Sequence, residues 1–263
     1  IIRDTAYNGT NMKNTFLLLF LMTCLNSFAQ ELPADSIILK KVFGQTDKGG
    51  ITYSRPFDKE RNEGICTYEE CIVWKIAFKQ QVYLQNKNLL LVIIEADDLT
   101  QHGHQFGYRD IYFFKQTNNK LELIDSIITD QENPLGDNRE FEIIDIGKNR
   151  IALVDRFAST GNQHAEDNKG IYLLEIGKLT FLLSVNCYSN EAWKITDSED
   201  DECEASAYDE KYEIIKNEKE WYDIIIHHTD YGFTKGCKEK YIKFQKDKVF
   251  SYTDGKYYEK INN

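Results

Sequence analysis

Phe141-Glu142-Ile143-Ile144-Asp145-Ile146-Gly147-Lys148-Asn149-Arg150-Ile151-Ala152-Leu153-Val154 is a pair of apolar runs around a polar, glycine-containing break. The first run alternates from Glu140 to Ile143, the period of a half-buried strand. Lys120-Leu121-Glu122-Leu123-Ile124-Asp125 and Tyr241-Ile242-Lys243-Phe244-Gln245 alternate in the same way. β-branched and aromatic residues crowd these runs, and such side chains fit a pleated surface. The breaks carry turn chemistry. Asn118-Asn119, Gly177-Lys178, Lys246-Asp247 and Asp254-Gly255 each separate two apolar runs. Asp-Gly is the strongest of these signals, because both central residues of a type I′ turn take positive φ. Strands joined by tight turns therefore predict an all-β fold.

The strands fall into units. In residues 74–127, Trp74-Lys75-Ile76-Ala77-Phe78 precedes Leu89-Leu90-Leu91-Val92-Ile93-Ile94, then a long polar connection, Ile111-Tyr112-Phe113-Phe114, a turn and Leu121-Glu122-Leu123-Ile124. Residues 140–185 repeat the order with Ile151-Ala152-Leu153-Val154, Ile171-Tyr172-Leu173-Leu174 and Leu179-Thr180-Phe181-Leu182-Leu183. Residues 211–253 repeat it more loosely, through Asp223-Ile224-Ile225-Ile226, Tyr241-Ile242-Lys243-Phe244, a turn at Lys246-Asp247 and Val249-Phe250-Ser251-Tyr252. Four antiparallel strands every roughly 60 to 70 residues is the period of a propeller blade, and a closed propeller has roughly four to eight blades. The expectation is thus antiparallel four-stranded meander repeats, propeller-like, with a β-sandwich or a barrel as alternatives. Val42-Phe43-Gly44 and Ile51-Thr52-Tyr53 offer only short extra strands before the first unit.

The run Phe141 to Val154 resembles the FG-GAP/VCBS-type blades of integrin-like propellers. The resemblance implies a propeller, and in that family an aspartate-rich turn between the first two strands binds calcium. Here that turn is Asp145-Ile146-Gly147-Lys148-Asn149, which lacks the run of acidic ligands, so the calcium role is not carried over.

Ahead of the repeats, residues 12–29 have the layout of a secretory signal peptide. Lys13 is followed by the apolar run Thr15 to Met22, and Ser27-Phe28-Ala29 offers small residues for cleavage before Gln30. Residues 1–11 precede the Met and are set aside, leaving 30–263 as one all-β domain. Export to the periplasm or beyond is expected, with a lipid anchor through Cys24 as the alternative. No later apolar run is long enough for a membrane span, which takes about 20 residues. In an oxidising compartment Cys66 can pair with Cys71 and Cys187 with Cys203, leaving Cys237 over. Closing the Cys187–Cys203 loop stabilises by about 3 kcal/mol on a chain-entropy model. The net charge of −11 argues against nucleic acid, and no lysine–arginine cluster with interleaved aromatics offsets it.

Three groups of residues carry candidate chemistry. All five histidines fall in or beside second-to-third strand connections: His102 and His104, His164, and His227 with His228. Asp97, Asp98, Glu166, Asp167 and Asp230 accompany them. Imidazole and carboxylate from separate loops suit zinc or copper, so His102, His104, His164 and Asp230 form a candidate metal set. The acidic run Asp197 to Glu204 has oxygen ligands for calcium but not the spacing of a calcium loop. Tyr188, Trp193 and Trp221 lie near loops, where aromatic faces can stack on a sugar or a protein partner. Serine-hydrolase, zinc-protease, phosphate-loop and dinucleotide signatures are absent. The reading is a binding protein for a protein or glycan ligand, using long connections at Asp97–Tyr108, Ser159–Asn168 and Thr229–Lys238. A metal-dependent hydrolase and a structural envelope protein are the alternatives.

Overall fold

A computed structural model describes residues 31–43, 72–98, 106–117, 120–128, 133–134, 138–160, 164–191, 206–234 and 239–260. It contains one helix among these residues, α1 (Asp35–Phe43), and thirteen strands. The first sheet holds β1 (Ile72–Leu84), β2 (Lys87–Asp98), β3 (Phe106–Thr117) and β4 (Lys120–Ile128), with the two-residue β5 (Asn133–Pro134) beside β3. The second holds β6 (Asn138–Gly147), β7 (Arg150–Thr160), β8 (His164–Glu175), β9 (Lys178–Glu191), β10 (Ser206–Ile215), β11 (Asp223–Phe233), β12 (Lys240–Thr253) and β13 (Lys256–Glu259). Every strand in both pairs antiparallel with its neighbours. The protein is all-β, as the alternation predicts.

Packing turns the three meanders into layers. Leu89 to Ile94 are all buried, although period-two strands usually bury one face. The reason is cover on both sides. Leu90, Val92 and Ile94 pack with Trp74, Tyr112 and Phe114 under Ile38 and Leu39 of α1. Leu89, Leu91 and Ile93 pack with Ile111 and Phe113 against Leu153 and Leu174 of the second sheet. A register shift between Ile76 and Phe78 lets β1 serve both layers, sending Ile76 to the helix side and Phe78 to the other. The far face of β6–β9 then meets β10–β13 through Ile146, Val154, Ile171, Val185, Ile224, Ile226 and Tyr257. Four-stranded units therefore stack face to face. The last two units are one sheet, because β9 and β10 share a short ladder from Ser206↔Glu191 to Asp209↔Tyr188.

Three sequence expectations change. The stretch around Val42-Phe43 is not strand but the end of α1, where Asp35 in the first turn and Lys40 and Lys41 in the last complement the helix dipole. Lys246-Asp247 is not a turn, since β12 runs straight through it. Cross-strand partners hold both residues extended: Asp247 Oδ1 lies 2.8 Å from His227 Nδ1, and Lys246 Nζ lies 3.6 Å from Glu259. The real turn is Asp254-Gly255, with φ of 49° and 91°. Finally, the long connections are shorter than expected. β7 reaches Thr160, β8 begins at His164, and β11 reaches Phe233. Backbone pairing continues through these polar residues because charges meet across it, as Arg156 Nη2 meets Asp167 at 2.6 Å.

Four charged residues join the first unit to the second. By period two, Glu95 and Arg109 follow Ile93 and Ile111 on the face toward β6–β9, and Arg139 and Asp155 sit on the face that answers it. Arg109 Nη1 donates to Asp155 at 2.6 Å and its Nε to Glu95 at 3.3 Å. Arg139 donates to both Asp155 oxygens, at 3.0 and 3.1 Å. The Phe141 ring lies 4.9 Å from the Arg109 guanidinium. Burial pushes both carboxyls upward, while Arg109 opposes the shift. Arg109 lies near the start of β3 and Asp155 midway along β7, with Arg139 near the start of β6. The start of β3 therefore lies toward the same end of the stack as the start of β6.

Candidate functional site

Apart from the β9–β10 ladder, the second and third units also meet backbone to backbone at the opposite end. In a flat sheet β6 and β11, five strands apart, would lie about 24 Å from each other. Instead Tyr222 N donates to Ile146 O and Lys148 N to Glu220 O, each at 2.9 Å, and Tyr257 Oη reaches Tyr222 O. Gly147 forms a bridge to Trp221, and its missing side chain permits this approach, because a Cβ there would strike the Glu220 carbonyl. Apolar residues fill the space beside this junction. Toward the connection end the filling stops, and a cleft of about 650 Å³ opens between the units.

Alternation explains its lining. On β7, Ala152 and Val154 point inward and Arg156 follows. On β8, Lys169 precedes Ile171 on the same face. On β10, Glu210 and Tyr212 precede Ile214. Ionisable groups thus form a belt just past the apolar filling. Tyr212 Oη crosses the cleft to Glu142 at 3.1 Å. Burial and the Glu142 carboxylate together push that hydroxyl's pKa upward. Lys169 Nζ sits 5.3 Å from the Tyr212 ring centre. Arg156 is held by Asp167 and Glu140. Burial pushes the Cys187 thiol up, so it is held neutral.

Glu210 anchors the floor of the belt. Its Oε1 lies 3.0 Å from both Lys248 Nζ and His228 Nδ1, and its Oε2 accepts from Asn186 N at 3.1 Å. Asn186 lies just beyond the end of the β9–β10 ladder, so the carboxylate takes a backbone donor that the ladder leaves over. Burial raises its pKa, but the three donors outweigh it and the net shift is downward. Tyr208, His228 and Phe244 form a row of rings beside it, with centroids 5.7 and 5.5 Å apart.

The residues singled out by sequence do not converge here. Tyr188 is on the face of β9 away from the cleft, where Lys240 Nζ lies 3.5 Å from the Tyr231 ring centre and 5.6 Å from that of Tyr188. Trp221 is at the closed end, stacked on Tyr252 at 3.5 Å and 11° with Arg150 over it at 4.5 Å. It packs the junction rather than offering a free face. Asp230 lies within β11 opposite Phe244, and His164 opens β8 opposite Glu191. His102, His104, Trp193, Cys66, Cys71 and Cys203 lie outside the described residues. Cys187 has a free thiol. Among the described residues no three histidine, cysteine, aspartate or glutamate side chains gather as a metal site, and no helix is long and apolar enough to cross a membrane.

Arg156, Lys169, Glu210 and Tyr212 were missed by sequence reasoning. The available signal was a charged or phenolic residue two positions from a buried aliphatic on the same strand face. Comparison of the chain with protein families, with characterised proteins and with solved structures finds no match.

Proposed function

We propose that this chain is an exported, non-enzymatic binding protein that takes an extended polar ligand, a peptide or a glycan, in the cleft between its second and third four-stranded units. The observation that carries the reading is the cleft itself: an open, about 650 Å³ space whose walls change from aliphatic to ionisable within one step of each strand. Such a wall offers apolar contact beside hydrogen-bonding groups, the mix that small-ligand and peptide sites use. Lys169 and Tyr212 face each other across the strands and form the recognition pair. The stacked meanders act as propeller-like blades in an open arc, which needs no closed ring to hold the cleft. The signal-like segment at residues 12–29 supports delivery to the periplasm or beyond, and Cys24 gives a lipid anchor as the alternative route.

Binding to peptide and glycan arrays tests this. The wild type should capture a defined subset, and Lys169→Ala with Tyr212→Phe should lose that capture at unchanged melting temperature. Equal capture by the folded variant refutes the cleft as the site.

A further inference from the structure

The outer edge of β12 is longer than the strand that lies along it. β13 pairs only with Phe250 to Thr253. Lys260 N then donates to Val249 O at 2.7 Å, so Val249 turns its backbone groups away from β11. Alternation turns Asp247 and Gln245 outward as well. Among the described residues no strand pairs with that stretch of the edge. Tyr241, Ile242 and Phe244 stand 51%, 57% and 47% exposed on the same strand. Lys240, Lys243, Lys246 and Lys248 surround them with Asp247 as the single acid between, in a chain whose net charge is −11.

We propose that the β12 edge is a second docking surface, which takes an extended acidic–apolar segment of a partner protein as an added strand. The outward N–H and C=O groups at Gln245 and Asp247 supply the ladder. Register follows from side-chain parity: Phe244 and Lys246 share one face, so the added strand presents an apolar residue and then an acid two positions along, which competes with Glu259 for Lys246, while Lys248 stays with Glu210. A second copy of β12 paired about Lys246 or Asp247 sets lysine against lysine, and like charges directly opposite are destabilising, whereas pairing about Gln245 sets Lys243 against Asp247, so self-association is a competing outcome of the test. Edge lysines also guard against aggregation, which is the outcome the test must separate.

The probe is a fluorescein-labelled peptide of four Val-Glu repeats, with four Val-Lys repeats as its counterpart, added to the full chain and followed by anisotropy. The acidic peptide should bind at least tenfold more tightly than the basic one and weaken with added salt. A carbon-13 carbonyl label in the peptide should give the infrared band of a paired strand. Gln245→Pro removes an outward backbone donor and also the Gln245 Nε2–Thr229 Oγ1 bond to β11, so Gln245→Ala is its control, and the proline should cost at least tenfold in binding relative to the alanine at equal melting temperature. Lys243→Glu with Lys246→Glu should reverse the peptide preference and covers the case in which the proline variant fails to fold. Equal binding of both peptides, binding indifferent to Gln245→Pro, no binding of either peptide, or concentration-dependent self-association through β12 instead would each overturn the proposal.

Discussion

Asp155→Asn should be among the most destabilising single changes in the chain. The carboxylate is nearly buried and accepts from Arg109 at 2.6 Å and from Arg139 at 3.0 and 3.1 Å. At an effective dielectric of about 20, one guanidinium beside one carboxylate is attracted by about 4 kcal/mol, against a desolvation cost of several kcal/mol already incurred. The amide removes the attraction and the carboxylate's own desolvation but leaves that of two guanidinium groups, which then face Glu95 alone. Breaking a buried pair in this way costs about 3–5 kcal/mol. For a chain of this size each kcal/mol lowers the melting temperature by roughly 2–4 °C, so a fall on the order of 10 °C is expected. Urea titration gives the free energy, and an unchanged slope shows that the unfolded ensemble is the same. Replacing Glu95, Arg109, Arg139 and Asp155 together by aliphatic residues should recover much of the loss. A loss below about 1 kcal/mol for Asp155→Asn, at unchanged slope, refutes the electrostatic joint between the units.

Glu210→Gln should change the pH dependence of stability. The Glu210 carboxyl titrates below its ordinary value of 4.5 when folded. Its ionised form therefore stabilises the fold above that value, and this support is lost as pH falls through 4.5 toward the folded value. Urea midpoints from pH 3 to 6 should show the wild type losing its advantage over the variant on the acid side; a constant gap contradicts the linkage. Gly147→Ala places a Cβ against the Glu220 carbonyl and 3.2 Å from Trp221 Cα. A cost of about 1–3 kcal/mol is expected, together with a weaker near-ultraviolet signal from the Trp221–Tyr252 stack, and an unperturbed spectrum with full stability rules out the close junction.

Strand content was written plainly in the chain. The six-residue apolar run at Leu89 to Ile94 announced a strand, and Asp254-Gly255 announced its turn. Each depends on neighbours in sequence, where periodicity acts. The joint of Glu95, Arg109, Arg139 and Asp155 depends instead on which unit stacks on which, and Arg109 and Asp155 are 46 residues apart. Lys246-Asp247 misled because its turn-like composition is also that of a charged edge strand, and only the partners His227 and Glu259 decide between them. Trp221 is a similar case. Trp221 follows a polar stretch in sequence, yet the approach of Gly147 draws it into packing. Charged residues at the ends of apolar strand faces were the better guide to the cleft.

The ladder between β9 and β10 has a mechanical consequence. Its rungs number four, whereas β8 and β9 are matched along nearly their whole length. The two halves of the second sheet are thus leaves turning on a narrow pivot, clamped on the other side by the Gly147 junction. Thermal opening concentrates where few bonds must break, so the gap can widen by a small rotation while each leaf stays folded. Amides of Ser206 to Asp209 should then exchange with solvent ahead of those in either leaf, and a guest bridging both walls would slow them first.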